Sequence, residues 1–380
     1  MSQLCMELPP FAPDYSGAAS ALFDLGGIVV LHDASGCTGN YIGFDEPRWL
    51  GSRSAIFCSG LRRMDAILGN DDKFIEMTVN AARSLDPSLI AYLGSPVPMV
   101  IGTDLEGMAV ETENISGIPS FGFHTTGENY YDKGASDVFV SLIDRFAKKK
   151  GCFNTKKTIN IMGLLPLDFG NKGNAERICT YIESLGYKIK ASFAVGLTIE
   201  QIECCADADI SLVVSKSGLE AARLLEQKFG IPYICGVPLH GSSFVEKNLK
   251  NEYVQKEVKN QNGGILIIHE QVFANSIREA IIERMDIPIM VASLFGLDKR
   301  IALEQDITLP NEAAIKREVN SGKYSVILAD PLIKKLLKED VKFISLPHVA
   351  VSSKLHWDEY PDYLGEEFSG IISSCLSLFE

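Results

Sequence analysis

The sequence predicts an α/β protein made of three Rossmann-like αβα domains whose sheets are mainly parallel. Short apolar segments of strand length alternate with longer amphipathic segments along most of the 380 residues, a pattern typical of parallel sheets with helical crossovers. The alternation restarts after a polar stretch at 246–263. The chain is also too long for one ordinary hydrophobic core. We therefore expect domains at 1–150, 151–255 and 256–380, the last with a C-terminal tail.

The first domain is predicted to contain four strands separated by helices. Four apolar segments end in small or polar residues, as buried strands do before a loop; they read GIVVLHDA, SAIFCSG, SLIAYLGS and IPSFGFH. Helical periodicity covers 72–84 and 134–149. The basic run RFAKKKGCFNTKKT at 145–158 is expected to be a solvated linker to the second domain.

The second and third domains repeat a regular order of strand and helix. In the second, the predicted strands are TINIMGLL, YKIKASF, ISLVVS and IPYICGV, with helices at 173–186, 199–208 and 218–230. In the third, they are GILIIHE, IPIMVASLF, YSVILAD and KFISLPH, with helices at 271–285, 312–321 and 331–338. Glycines at 186 and 230 are typical helix stop signals.

Composition excludes several classes of protein. The formal charge of −13 argues against nucleic acid or an anionic membrane as the main partner. No apolar run approaches the roughly 20 residues that span a bilayer, and the start MSQLCMELPPF lacks the features of a signal peptide. We therefore expect a cytoplasmic protein, in which nine cysteines are not a disulfide framework.

Familiar cofactor motifs are missing from the sequence. There is no G-x-x-x-x-G-K-[ST] phosphate loop and no G-x-G-x-x-G after a strand, so neither ATP hydrolysis nor dinucleotide binding is indicated. There is no C-x-x-C and no ferredoxin-type cysteine run. A metal cluster would therefore have to be assembled from distant cysteines or from two chains.

The segment HDASGC at 32–37 is the strongest chemical lead. It directly follows the apolar run LGGIVVL, so Cys37 stands just beyond a predicted buried strand. A free cysteine at such a place is either a small core residue or a thiolate presented to a metal. The residues of this segment alone leave both readings open.

From Cys37 onward the sequence resembles the nitrogenase component 1 superfamily. LHDASGC resembles that family's HG-x-x-GC segment, and the likeness continues in order through MDAILGNDDKF (64–74), PVPMVIGTDLEGMA (96–109), GIPSFGF (117–123), SLVVSKSGLEAARLLEQKFGIPYI (211–234) and DEYPDYLGEEFSGI (358–371). Gly102 and Asp104 match a family segment that we interpret as a turn with a helix N-cap. The resemblance implies the three-domain α/β fold of that superfamily.

The resemblance also implies an iron–sulfur cluster held by three cysteines of the first domain at a subunit interface. Cys37 matches one of these ligands and Cys5 resembles another, whereas the third falls on Pro96, which cannot bind iron. We hypothesise that Cys58 supplies a replacement thiolate. His32 and Asp33 are candidates for residues that lie behind the ligands and form hydrogen bonds near the cluster sulfurs. The alternative is that they are a structural cap. The other cysteines are expected to be core or surface thiols.

The cofactor of the catalytic nitrogenase subunit is not expected here. Its cysteine ligand in the second domain falls on Ser215, and its histidine ligand lies close to His356. His356 could face the same cavity or be a packing residue. Without the thiolate, we expect no iron–molybdenum cofactor.

The resemblance implies a component 1-like oxidoreductase subunit. It would receive low-potential electrons from an ATP-dependent iron protein and pass them through an interfacial cluster, most simply [4Fe–4S], to a bound substrate. The partner would be a second copy or a component 1-like paralogue. Two alternatives stay open: a non-catalytic scaffold for metallocluster assembly, and a cluster-free protein that binds a small molecule.

Overall fold

The computed structural model describes residues 6–48, 54–151, 156–170, 173–255, 262–338, 341–352 and 360–379. Within these ranges, three separate sheets are flanked by helices, so the predicted α/β class is confirmed. None of the helices in these ranges is both long enough and apolar enough to cross a membrane. The domain boundaries at 150/151 and 255/256 stay a prediction.

The first sheet has four parallel strands in the order β2-β1-β3-β4. Its strands are β1 (Ile28–His32), β2 (Ala55–Cys58), β3 (Ile90–Gly94) and β4 (Ser120–Phe123). The surrounding helices are α1 (Asp14–Leu22), α2 (Gly36–Asn40), α3 (Arg63–Leu68), α4 (Asp71–Leu85), α5 (Pro96–Val100), α6 (Leu105–Ser116) and α7 (Tyr131–Phe146), with a π-helical turn at Tyr41–Asp45 and a 3₁₀ turn at Phe23–Leu25.

The second sheet is also parallel, in the order β6-β5-β7-β8. It consists of β5 (Thr158–Leu164), β6 (Lys188–Ala194), β7 (Ile210–Val213) and β8 (Tyr233–Cys235). The helices of this part are α8 (Pro166–Phe169), α9 (Asn174–Ser184), α10 (Ile199–Cys204), α11 (Leu219–Phe229) and α12 (Phe244–Leu249), with 3₁₀ turns at Cys205–Asp207 and Lys216–Gly218.

The third sheet has five parallel strands in the order β11-β10-β9-β12-β13. They are β9 (Gly264–Ile268), β10 (Ile289–Ser293), β11 (Ile307–Thr308), β12 (Tyr324–Ala329) and β13 (Lys342–Ser345). Helices α13 (Gln271–Ile282), α14 (Glu312–Val319) and α15 (Glu366–Leu376), and the 3₁₀ helix Pro331–Leu336, complete this part.

Each sheet is buried on both faces, which explains why its central strands are apolar without interruption. All five residues of β1, β3 and β9 are buried. In β1, Val29 and Leu31 pack into one core cluster, whereas Ile28 and Val30 pack into another on the opposite face. This arrangement is the one expected for parallel strands that are covered by crossover helices.

The predicted strands of all three sheets are present, and the differences concern less regular segments. The predicted helix 331–338 is a 3₁₀ helix at Pro331–Leu336. The two-residue strand β11, the long helices α1 and α15, and the short helices α2, α3, α5, α8 and α12 were not predicted. Helix α1 reads DYSGAASAL and every one of its residues is buried. It therefore lacks the polar face on which helical periodicity depends.

Helices α1 and α7 cross at two glycines that let their backbones touch. A Cβ atom at Gly17 would lie 1.9 Å from the carbonyl oxygen of Tyr131, and one at Gly134 would lie 1.9 Å from the carbonyl oxygen of Asp14. Two helices can approach this closely only where neither has a side chain. This contact positions the start of α1, and with it Tyr15, over the first sheet.

We expect Gly17→Ala and Gly134→Ala each to lower the free energy of unfolding by about 1–3 kcal/mol, because the added methyl group forces α1 and α7 apart. Gly370→Ala in α15 is the matched control, since no atom lies within 4 Å of its Cβ position. Because alanine has a higher helix propensity than glycine, Gly370→Ala should leave the free energy of unfolding unchanged or raise it by up to about 1 kcal/mol. Urea unfolding followed by circular dichroism tests this; equal effects in all three variants would contradict the close-contact explanation.

Candidate functional site

The strands of the first sheet all end at one edge, and the candidate residues lie there. Strand β1 ends at His32, β2 at Cys58, β3 at Gly94 and β4 at Phe123. Because the strands are parallel, the loops that follow them meet at the carboxyl edge of the sheet. Cys37 and Cys58 are thus brought to the same edge from positions 21 residues apart in the sequence.

The Asp33 carboxylate holds the turn that carries Cys37. Its Oδ2 accepts hydrogen bonds from the backbone N–H of Ser35 at 3.0 Å and of Thr38 at 3.2 Å. Ser35 has a φ of 146°, which L-residues rarely adopt, so this turn needs such support. Asp33 is therefore the structural cap that was one of its two expected roles, and it lies directly behind the Cys37 turn.

Two hydroxyl groups lie beside the half-buried Cys37 sulfur. Tyr15 of α1 and Ser95 of the loop after β3 both lie close enough to the thiol to affect its pKa, and the Ser95 hydroxyl donates to the His32 carbonyl oxygen at 3.0 Å. Burial raises the pKa of the Cys37 thiol, and the negative charge of Asp33 adds to this rise, whereas the Tyr15 and Ser95 hydroxyls oppose it. Donors at this position stabilise a thiolate once a cation compensates for the burial.

Cys58 lies on the other side of Asp33. Its Sγ is 3.4 Å from the Asp33 carbonyl oxygen, to which the thiol donates, and it accepts from the backbone N–H of Gly60 at 3.4 Å. Cys58 is close enough to Cys37 for a charge on one sulfur to act on the other. The replacement thiolate hypothesised from the sequence therefore shares the sheet edge with Cys37.

His32 is directed away from the Cys37 turn. Its ring is buried and packs edge-on against Phe74 of α4, with 4.8 Å between ring centroids. Phe74 belongs to the core on the face opposite to Tyr15. Burial lowers the pKa of His32, although nearby carboxylates oppose this shift. Its backbone carbonyl faces the site, accepting from the Ser95 hydroxyl at 3.0 Å.

Pro96 occupies the position where the resembling family has a cysteine. It is the first residue of α5, and its ring lies against the backbone of Gly127, where a Cβ would be 2.8 Å from Pro96 Cγ. Cys5 and His356 lie outside the described residues. Within the described ranges, no three His, Cys, Asp or Glu side chains gather closely enough to hold a metal ion.

Tyr15 and Ser95 are the site residues that sequence reasoning missed. Ser95 directly precedes Pro96 at the end of a predicted strand, so its position in the sequence could have indicated that it lies at the site. Nothing in the sequence indicated Tyr15, because α1 was not predicted. Both belong to the site through the fold and not through any short sequence pattern.

An apolar rim borders the carboxyl edge of the first sheet. Helices α3 and α5 follow β2 and β3, and six large apolar side chains on these helices or directly after α5 are exposed; they are Met64, Ile67, Leu68, Val97, Val100 and Ile101. Val100 is 85% exposed and Leu68 is 69% exposed. Beside Cys58, a cavity of about 150 Å³ is lined mainly by apolar side chains, among them Phe57, Phe74 and Met77. Exposed large apolar side chains grouped near a sheet edge make this edge a candidate protein interface.

Ser215, where the catalytic nitrogenase subunit has its cysteine, lies in a packed junction between the second and third sheets. Its hydroxyl donates to the Gly163 carbonyl oxygen at 2.7 Å and lies 2.6 Å from the Ser217 hydroxyl. Next to it, Glu270 accepts from the backbone N–H groups of Val272 and Phe273. Burial raises the pKa of Glu270.

The same junction holds two stacked histidines. The rings of His269 and His348 are both buried, with 4.4 Å between their centroids and an interplanar angle of 19°. Burial lowers the pKa of His269 to about 3. His269 is therefore neutral in the folded chain at neutral and mildly acidic pH.

Comparisons with known proteins agree with this geometry. The sequence profile of the family described as nitrogenase component 1 type oxidoreductase matches residues 13–251. The nitrogenase molybdenum-iron protein alpha chain of Clostridium pasteurianum is 25% identical over 187 residues, which are 47% of this chain and 33% of that protein. A light-independent protochlorophyllide reductase subunit of Leptolyngbya boryana is 31% identical over 114 residues, 28% of this chain and 22% of that protein.

Two further similarities bear on role and fold. The nitrogenase iron-molybdenum cofactor biosynthesis protein NifE of Clostridium pasteurianum is 24% identical over 179 residues, 47% of this chain and 38% of that protein. The matched segments thus span about a third of these curated relatives. A solved structure titled "Nitrogenase Cp1 at pH 6.5" superimposes with a TM-score of 0.70 at 14% identity, covering 100% of this chain and 95% of that one, which shows a shared fold.

We expect the stability of the chain to fall as the pH decreases from about 6.5 to about 3, in part through His269. In this window the unfolded chain binds a proton at His269 that the folded chain excludes. This residue therefore lowers the free energy of unfolding by up to about 1.4 kcal/mol for each pH unit of acidification. His269→Phe keeps a ring against His348 but removes this dependence. Urea unfolding between pH 4 and 7 tests the difference; parallel curves for wild type and variant would contradict the interpretation.

Proposed function

Because the chain belongs to the family of nitrogenase component 1 type oxidoreductases, we propose that it is the subunit of a two-component reductase that receives low-potential electrons. The placement of Cys37 and Cys58 at one sheet edge, on either side of Asp33, supports this most directly. The family includes proteins named for reduction and proteins named for cofactor biosynthesis. The electron-transfer role is therefore the specific part of the proposal.

The proposed metal group is an iron–sulfur cluster held between two chains. Soft thiolate ligands suit iron–sulfur clusters, and loops at strand ends can converge on one without disturbing the sheets. Cys37 and Cys58 give two thiolates per chain, so two chains related by a two-fold axis give four, enough for one [4Fe–4S] cluster. Cys5, implied by the resemblance, would add one more from each chain.

The side chains around Cys37 prepare it to bind a cation. Asp33 fixes the turn through the N–H groups of Ser35 and Thr38, so the direction of the thiol is set before any metal arrives. The Tyr15 and Ser95 hydroxyls lie close enough to the sulfur to affect the pKa of its thiol. When bound, an iron–sulfur cluster accepts and releases one electron at a time, and such donors influence its reduction potential.

The apolar rim is the proposed contact surface for the second chain. Five of its six side chains are on α3 and α5, and Ile101 directly follows α5. Both helices begin at the carboxyl edge of the sheet, so a partner that covers the rim would also cover Cys37 and Cys58. Covering the rim excludes water from the site. The partner is either a second copy of this chain or a component 1-like paralogue, and in both cases the chains would contribute equivalent edges.

The electrons would come from a separate ATP-dependent iron protein. The chain has no phosphate-binding loop of its own, so ATP hydrolysis must occur on another protein. A cytoplasmic location follows from this proposal, because cluster thiolates must remain reduced. No nucleic acid or membrane partner is proposed.

A scaffold for metallocluster assembly is the second candidate function. Ser215 favours it, because a buried, hydrogen-bonded hydroxyl stands where the catalytic subunit has a thiolate. Such a protein would keep the interfacial site but would not turn over a substrate. Assays with an iron protein, ATP and a reductant separate the two functions by whether electrons leave the cluster to a substrate.

We expect Cys37→Ser and Cys58→Ser each to retain less than about half of the iron bound by the wild type after anaerobic reconstitution, because each removes a thiolate from both chains of a dimer. Cys204→Ser, a half-buried thiol at the end of α10, is the matched control and should retain all of it. Iron and acid-labile sulfide assays measure this. A colourless wild-type protein would overturn the cluster proposal and favour the cluster-free binding protein.

We expect Leu68→Glu and Val100→Glu each to weaken self-association, or association with a paralogue, by at least about tenfold, because a charge in the apolar rim would be buried without a partner. Val254→Glu is the control, since Val254 is 80% exposed but remote in sequence from α3 and α5. Sedimentation velocity measures the dissociation constants. Unchanged association in both rim variants would mean that another surface forms the dimer.

A further inference from the structure

A second cavity, of about 450 Å³, lies away from the cysteine edge. One side is formed by β8, α11 and α12 next to the second sheet, and the other by α13 and the loop at 300–303 next to the third. Its size is within the range of sites for small organic molecules. Neither the family resemblance nor the proposed cluster uses it.

Aromatic side chains form much of the wall of this cavity. Tyr233, Phe244 and Tyr253 all line it. Phe244 and Tyr253 meet edge to face with 5.1 Å between ring centroids, and the Tyr253 hydroxyl donates to Glu279 Oε2 at 2.8 Å. These contacts fix the rings in place. A pre-formed aromatic wall favours a ligand with a flat or bulky apolar body.

A buried arginine lies in the same wall. Arg278 donates to both carboxylate oxygens of Asp306, at 2.6 and 2.9 Å, and to Asn275 Oδ1 at 2.8 Å. Its Nε–H has no acceptor among the residues that the structure describes. The two Asp306 contacts fix the guanidinium, so Arg278 adds a rigid positive charge to the cavity wall.

Opposite charges lie at the rim of the cavity. Arg300 and Glu226 both line it and both are exposed, so each can reach a ligand group of opposite charge. A purely anionic ligand would face Glu226 and a purely cationic one would face Arg300. A molecule that carries both charges satisfies the two together.

Cys235 lines the cavity but is poorly suited to chemistry. It is half-buried, and burial raises the pKa of its thiol to about 12. The thiol is therefore protonated at neutral pH and is a weak nucleophile. The cavity is accordingly suited to binding and not to covalent catalysis.

We propose that this cavity binds a small zwitterion with an aromatic body, of the chemical class of the aromatic amino acids. The carboxylate would contact Arg300, the ammonium group would contact Glu226, and the ring would lie among Tyr233, Phe244 and Tyr253. This site is independent of the proposed cluster and of the second chain. It would make the subunit responsive to a metabolite.

Isothermal titration calorimetry and saturation-transfer NMR with three probes test this proposal on the full chain. L-tryptophan carries both charges, 3-indolepropionate lacks the ammonium group and tryptamine lacks the carboxylate. We expect L-tryptophan to bind at least about tenfold more tightly than either analogue, since each analogue loses one charge-assisted contact. No binding of L-tryptophan by both methods, or equal binding of all three probes, would overturn the proposal.

Variants of Arg300 and Glu226 test whether the ligand binds in this cavity. We expect Arg300→Gln to weaken the binding of L-tryptophan and of 3-indolepropionate by about tenfold and to leave the binding of tryptamine unchanged. We expect Glu226→Gln to weaken the binding of L-tryptophan and of tryptamine but not that of 3-indolepropionate. Lys299→Gln is the matched control, because Lys299 is exposed next to Arg300 but does not line the cavity. If neither Arg300→Gln nor Glu226→Gln alters the binding of any probe, the ligand binds elsewhere and the assignment is refuted. Iron content should be the same in all three variants.

Discussion

The arrangement at the carboxyl edge of the first sheet depends on Asp33. Its side chain accepts from the N–H groups of Ser35 and Thr38 and from the Ser95 hydroxyl. Its main chain accepts from the Cys58 thiol and from the N–H of Leu61. One residue at the end of β1 thus ties together the loops that follow three neighbouring strands. Because the carboxylate is buried, it is held there by these donors and not by solvent.

This constraint explains how the two candidate thiols are held at one sheet edge, although Cys58 ends β2 and Cys37 lies in α2 after β1. Parallel strands bring Cys37 and Cys58 to one edge, but a sheet edge alone would leave their loops free to separate. The bonds to Asp33 set the spacing between the loops. The same hydrogen bonds that cap the turn therefore also hold Cys37 in place.

Regular parallel sheets were predictable from the sequence, and irregular helices were not. Strands such as β1 and β9 are apolar throughout because both faces are covered, and glycines mark the ends of the following helices. Helix α1 has no polar face to reveal its period, and β11 is only two residues long. Within the site, Cys37 and Cys58 could be found because each stands at or just beyond the end of an apolar segment. Tyr15 could not, because its position depends on the contact between Gly17 and Gly134 of two helices distant in the chain.

The apolar rim has a practical consequence for anyone who produces this polypeptide alone. Side chains such as Val100 and Leu68 would meet water in an unassembled chain, and unassembled apolar surface promotes nonspecific aggregation. Low yield would then reflect this uncovered surface and not a defective fold. Conditions that keep exposed apolar side chains from associating would be the sensible starting point for crystallisation.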